Sequence, residues 1–361
     1  MFTTYDYMEE ERAMKKSIWI LTILLPVISA CQPAENQITL LSNEPMTFDL
    51  PLGIDAPPPV PEDNPMTSAK VELGRQLFFD ARLSSDGTIS CATCHNPAMG
   101  FTDGRATSMG TQAQVGGRSA PSIINLAYAQ GGIFWDGRAA SLEEQAIGPI
   151  ANPIEMSNTH ENAVARLNTI PEYREQFEHI FGSPEVTIEN VWKAIAAFER
   201  TIIDGNSPWD RFIKGETSAL SEEATRGWEL FQTKARCIFC HAGFNLTTNQ
   251  FRNIGVGFDG PEPDLGRYEY TGAEGDQGRF KTPTLRALRY TGPYMHDGSE
   301  ATLEDVIEYY NRGGNPNPYL DELIMPLGLT EQEKAALLAL LYAFEGEDWM
   351  VTAPIQLPEE P

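Results

Sequence analysis

The sequence predicts a mainly α-helical protein of two similar units packed together, with long loops. Three observations carry this. Apolar residues recur at helical spacing in several stretches, whereas the alternation of a half-buried strand is scarce. A short stretch occurs twice, as Gly74-Arg75-Gln76-Leu77-Phe78 and Gly227-Trp228-Glu229-Leu230-Phe231. Each copy precedes a Cys-x-x-Cys-His pentapeptide, Cys91-Ala92-Thr93-Cys94-His95 and Cys237-Ile238-Phe239-Cys240-His241, and the pair uses four of the five cysteines. A doubled stretch ahead of a doubled ligand motif reads as one unit duplicated.

In chain order, residues 1–31 carry Lys15-Lys16, a largely apolar run from Ile18 to Ile28, and Ser29-Ala30-Cys31. These are the charged, apolar and small-residue regions of an export signal, and Cys31 resembles the lipidated first residue of a bacterial lipoprotein. Glu9, Glu10 and Glu11 fit a signal poorly, which points to Met14 as the true start. The run is too short to span a membrane comfortably, so contact with the membrane is expected through the lipid anchor alone, on the periplasmic side.

Residues 32–65, rich in Pro and polar side chains, read as a tether or extended arm. The two units are expected at residues 66–212 and 213–350, with a tail at 351–361. Their boundary is marked by Asp204-Gly205-Asn206-Ser207-Pro208 and Lys214-Gly215-Glu216. Helical periodicity is plain at Ile188, Val191, Trp192, Ile195 and Ile202, at Ala224, Gly227, Trp228 and Phe231, and at Leu337, Leu338, Leu341 and Phe344. Thr330 with Glu333 forms a capping box ahead of the last of these.

The net charge is −25, and without residues 1–31 the chain keeps 23 basic and 47 acidic side chains. Nucleic acid is excluded as a partner. Such a field favours a basic redox partner or simply keeps the protein soluble.

The pentapeptides are the attachment motif of c-type haem. Two thiols add to the two vinyl groups of one porphyrin, and the adjacent histidine ligates iron from below. A thiol redox pair does not need the histidine, and a four-cysteine zinc site would want its pairs much closer together. Each unit is therefore expected to be a cytochrome-c-like haem domain, with covalent haems on Cys91, Cys94 and His95 and on Cys237, Cys240 and His241.

Further segments carry a resemblance. Phe134-Trp135-Asp136-Gly137-Arg138, Leu142-Glu143-Glu144-Gln145-Ala146, Asn152-Pro153-Ile154-Glu155-Met156, Lys281-Thr282-Pro283-Thr284-Leu285-Arg286 and Pro293-Tyr294-Met295-His296-Asp297-Gly298 resemble the bacterial di-haem cytochrome c peroxidase and MauG family. The resemblance implies that hydrogen peroxide reacts at the first haem, with Gln145 and Glu155 beside it and Trp135 between the haems. A carboxylate near bound peroxide can take the proton from one oxygen and return it to the other.

Typical peroxidases of this family close the second haem with methionine, whereas MauG-like members use tyrosine, and the position fourteen after His296 is Tyr310. Tyr309 is its rival. Leu303, Val306, Ile307 and Tyr310 stand at i, i+3, i+4 and i+7, so Tyr310 shares the apolar face and Tyr309 is turned away from it. Thr302 with Asp305 resembles the start signal of that helix. A phenolate favours ferric and higher oxidation states over ferrous iron.

Two departures stand out. Ala235 occupies the place of a tryptophan that serves MauG as an exit for oxidising equivalents. The family's interhaem calcium would find the Thr291 and Pro293 carbonyls, but Ser119 aligns near the expected asparagine. His296 is placed near a haem edge, and His160 and His179 are read as ordinary helix or loop residues.

Two classes of function follow. The first is an enzyme that shares oxidising equivalents between two haems and oxidises a protein or external donor; the segment Pro61-Glu62-Asp63-Asn64-Pro65-Met66 resembles a branch with copper-binding partners. A conventional peroxidase fed by a small redox protein is its close relative. The second class is a non-catalytic electron-transfer cytochrome, for which Met109 or Met156 would ligate the first iron.

Overall fold

Short hydroxyl side chains start most of the helices. The computed structural model describes residues 40–258, 260–346 and 349–360. Along them run α1 (Ser68–Phe79), α2 (Cys91–Cys94), α3 (Leu142–Ala151), α4 (His160–Asn168), α5 (Pro171–Phe181), α6 (Ile188–Glu199), α7 (Pro208–Ile213), α8 (Glu222–Gln232), α9 (Tyr268–Thr271), α10 (Leu303–Asn311) and α11 (Glu331–Ala343). Thr67, Ser141, Thr159, Thr187 and Ser221 each accept from a backbone N–H of the first turn that they precede. Ser207, Thr302 and Thr330 do so within reciprocal capping boxes. Two short antiparallel strands, β1 (Phe251–Arg252) and β2 (Phe280–Lys281), pair Phe251 with Lys281. The chain is mainly α, as the periodicity implies.

The doubled stretch builds two equivalent helix crossings. α1 lies across α6 in one core, where Leu73, Leu77 and Phe78 meet Val191, Ala194 and Phe198. α8 lies across α11 in a second core, where Leu230 and Phe231 meet Leu337, Leu340 and Phe344. A Cβ on Gly74 would overlap the carbonyl of Ala194, and one on Gly227 the carbonyl of Ala336. Glycine lets each backbone approach this closely. Four residues on, Phe78 packs on Phe198 with centroids 5.1 Å apart, and Phe231 on Phe344 at 5.7 Å.

Some details depart from the periodicity. α6 stops at Glu199, and Ile202 is buried beyond its end. The Thr201 hydroxyl donates back to Phe198 O (2.7 Å), while Asn125 N donates to Ile202 O (3.0 Å) and Asn125 Oδ1 accepts from Asp204 N (2.8 Å). These tertiary bonds take over the backbone groups that another helical turn would have used.

The described part of the arm is packed against the protein. Asn43 Nδ2 donates to His179 O (2.9 Å), Tyr128 Oη to Ala56 O (2.8 Å) and Arg200 Nε to Pro59 O (3.1 Å). The C-terminal segment returns to α1 and the turn after it, with Arg75 and Arg82 donating to Thr352 O and Pro358 O, and Trp349 is buried in the first core. The expected leader, Cys31 and the first residues of the arm lie outside the described residues. Among those described, no helix is long and apolar enough to cross a membrane.

Candidate functional site

Two cavities open in front of the two pentapeptides. The first, about 520 Å³, is lined by Cys94, His95, Trp135, Gln145 and Glu155 among others. The second, about 220 Å³, is lined by Trp135, Cys237, Cys240, His241 and Tyr310 among a mostly apolar set. Both histidines are held the same way. His95 Nδ1 donates to Phe101 O (3.1 Å) and His241 Nδ1 to Leu246 O (3.0 Å), which leaves each Nε2 lone pair free for a metal. Burial lowers both imidazole pKa values, that of His241 to about 4, so both rings are neutral near pH 7.

No disulfide joins the four motif cysteines. Burial pushes Cys94 up to about 11 and Cys237 to about 12, and raises Cys91 and Cys240 as well. A thiol redox pair works through a depressed pKa, and these move the opposite way. No group of three His, Cys, Asp or Glu among the described residues could hold a bare metal ion. Thiols protected from ionisation, a neutral imidazole and an apolar cavity fit a covalently held porphyrin.

The wall of the first cavity that carries Gln145 and Glu155 is polar. Gln145 is buried on α3, and Glu155 follows that helix in a turn whose Asn152 Nδ2 donates to Glu155 Oε1 (2.7 Å). Thr111 N donates to Glu155 O (2.8 Å), and Gly110 packs so tightly on the Glu155 backbone that a Cβ there would overlap it. Burial raises the Glu155 carboxyl, opposed by Arg138 and the Asn152 hydrogen bond. Met156, the next residue, is buried in the first core, and Met109 sits in a bridge opposite Val115; neither lines the cavity.

In the second cavity α10 presents Tyr310. Burial raises its phenol far above the ordinary range, and its hydroxyl has no hydrogen-bond partner among the described residues. Tyr309 is turned away from this cavity, but into the interior: it is 1% exposed, and its hydroxyl donates to Ile254 O (2.8 Å). Ala235 lines the cavity wall, as do Met295 and the 44% exposed Met325, whose sulfur accepts from Arg236 at 2.9 Å.

Trp135 lines both cavities, and its indole N–H donates to Ser119 O (2.9 Å). Ser119 Oγ donates to Met295 O (3.1 Å), and Ser119, Thr291 and Pro293 all line the first cavity. His296 lines the second, stacked on Phe280 with centroids 3.5 Å apart. His160 and His179 lie on α4 and α5, bonded to Ile147 O and Leu41 O.

Known proteins share this plan. The chain is 42% identical over 303 residues to the methylamine utilization protein MauG of Methylorubrum extorquens, spanning 83% of this chain and 84% of that one. Residues 68–218 match the di-haem cytochrome c peroxidase family model. The chain belongs to the di-haem cytochrome c peroxidase and MauG family. It is also 43% identical over 258 residues to the cytochrome c551 peroxidase of Nitrosomonas europaea, across 70% of this chain and 76% of that one. A solved structure, a MauG-like protein associated with microbial copper homeostasis, superposes with a TM-score of 0.78 at 36% identity, covering 85% of this chain and 97% of the other. Haem is therefore the cofactor, and the chain is an oxidoreductase of the di-haem peroxidase and MauG type.

Sequence reasoning passed over one residue that lines both cavities. Lys281 was visible in the Lys-Thr-Pro-Thr-Leu-Arg motif, yet nothing in the motif shows that it lines both cavities. Only the pairing of β2 with β1, and of Lys281 N with Trp135 O (2.7 Å), brings it there.

Proposed function

We propose that this chain is a MauG-like enzyme in which peroxide reacts in the first cavity and two oxidising equivalents are shared, past Trp135, with the second haem before they oxidise a partner protein. When bound, the haems, attached through Cys91 and Cys94 and through Cys237 and Cys240, supply the redox-active irons. The observation that carries this reading is Tyr310, a part-buried phenol that lines the second cavity with no hydrogen-bond partner among the described residues. Such a phenol ionises only where a cation compensates it, and a haem iron held in this cavity by His241 would supply one, with Tyr310 as a further ligand.

On the other side, Asn152 holds Glu155 Oε1 and leaves Oε2 to carry a proton between the two peroxide oxygens. Burial keeps that proton on the carboxyl to a higher pH than in water, which suits a group that must both give and accept. Trp135 is held by its bond to Ser119 O, so its indole keeps a fixed place between the cavities.

In the same reading an interhaem calcium ion would take the Thr291 and Pro293 carbonyls and the Ser119 hydroxyl. This donor set is neutral, so the ion would be held weakly and lost to a chelator. The partner would be basic or copper-binding: the net charge is −25, and the 36% identical MauG-like structure is associated with copper homeostasis. Export and a lipid anchor at Cys31, on the periplasmic side, belong to the same proposal.

A second reading, a conventional peroxidase fed by a small redox protein, is favoured by Met295 and Met325 on the wall of the second cavity. Peroxide added to the oxidised protein, followed by mass spectrometry of proteins encoded beside it, separates the two. Oxidation of discrete residues on one partner supports the MauG-like reading; rapid turnover with reduced cytochrome and an unmodified partner contradicts it.

A further inference from the structure

Lys281 is a buried cation at the seam between the two cavities. It lies at the end of β2, it is among the residues lining both cavities, and it is 9% exposed. An ammonium carries three donors. One goes to Gly132 O at 3.1 Å, and no carboxylate among the described residues pairs with it. Burial pulls its pKa down to about 8, and no acid among the described residues offsets this.

The neighbouring cations are treated differently. Arg118 pairs with Asp136, Asp264 and Glu269, Arg138 with Asp136, Arg286 with Asp210 and Arg252 with Asp321. Arg236, also without a salt bridge among the described residues, is only half-buried and spends its guanidinium on the Met325 sulfur and the Phe239 ring. In a chain with 51 acidic side chains, a buried lysine left without one is conspicuous. An unpaired ammonium is costly to bury, and one anionic partner would offset that cost. Haem brings that partner, because its propionates are the charged groups of the porphyrin edge.

We propose that Lys281 is a positioning residue shared by both haems, its two remaining donors serving a propionate from each cavity and so fixing both porphyrins relative to Trp135. This rests on both cavities holding haem. Besides position, the ammonium sets potential: a nearby positive charge favours the reduced iron, so it holds both midpoint potentials up.

The test is redox titration of the holoprotein with Lys281→Gln and Lys281→Arg, each haem followed by its own absorption and spin-resonance signals. Haem stoichiometry and thermal melting are measured alongside. The expected result is a fall in both midpoint potentials in folded, two-haem Lys281→Gln, largely recovered in Lys281→Arg. Movement of one potential alone, or of neither, overturns the shared role, as does failure of arginine to restore them. Fewer than two haems per chain in the parent would defeat the occupancy itself, a different failure. Should Lys281→Gln not fold, Lys281→Arg carries the test: the propionate bending bands of both haems should shift in the resonance Raman spectrum, and unmoved bands contradict the proposal.

Discussion

The two halves share a helix crossing and a ligand motif but line their cavities differently. Gly74 and Gly227 make the same close approach, and His95 and His241 are fixed by the same kind of carbonyl bond. Yet the first cavity is more than twice as large and carries Gln145, Asn152 and Glu155, whereas the second is largely apolar and presents Tyr310. The two halves share the helix crossing and the support of the histidine, and they differ in what lines the cavity. The teaching is that the crossing and the histidine support fix the cofactor's place, and a few side chains on α3, the turn after it, and α10 divide the labour.

The same divergence reaches the back of the crossings. Ala197-Phe198-Glu199 closes α6, and the matching Ala343-Phe344-Glu345 runs from the last residue of α11 into the turn after it. Glu199 is buried, its carboxyl raised to about 8 by burial, while Glu345 accepts from Tyr290 Oη at 2.6 Å and pairs with Arg289.

Replacing Glu155 by Gln should break the comparison most strongly. The peroxide reaction should slow by about a hundred- to ten-thousandfold, the usual worth of a positioned acid–base group, with the second haem's spectrum unchanged. Stopped-flow absorbance after peroxide addition checks this; an unchanged rate would remove Glu155 from the chemistry.

Gly74→Ala and Gly227→Ala probe what the halves share. Each should cost about 1–3 kcal/mol, since the new Cβ meets backbone that cannot easily move. Thermal unfolding should show similar losses for both; a loss in one alone would mean that the crossings are not equivalent.

Glu199 sharpens the difference through pH. Its folded pKa lies above the ordinary 4.5, so between about pH 4.5 and about 8 the folded state binds a proton that the unfolded state has lost. Stability therefore falls as pH rises through that window, by at most about 1.4 kcal/mol per unit. Glu199→Gln should flatten this slope in pH-dependent denaturation, whereas Glu345→Gln should leave it in place. The smallest expected effect is that of a calcium chelator, which should perturb the haem spectra slightly and reversibly, because Ser119, Thr291 and Pro293 offer no charged ligand.

Much of this was legible in the sequence. The pentapeptides, the doubled Gly-x-x-Leu-Phe stretch and the capping boxes at Thr302 and Thr330 are local signals, and each forms the local structure that its chemistry dictates. Helical spacing separated Tyr310 from Tyr309 but could not show that Tyr309 would be the more deeply buried, because its partner, Ile254 O, lies in a distant loop. The burial of Trp349 in the first core and the place of Lys281 on the walls of both cavities depend on contacts far apart in the chain. Periodicity carries no information about those.

The central claim is that one iron faces a peroxide site while its neighbour is bound by a tyrosine oxygen. Electron-spin resonance of the oxidised holoprotein, with and without Tyr310→Phe, tests it most directly. The account predicts one high-spin and one low-spin ferric signal, with the low-spin signal alone altered by the substitution. Two low-spin signals in the parent, or a low-spin signal that Tyr310→Phe leaves untouched, would contradict it.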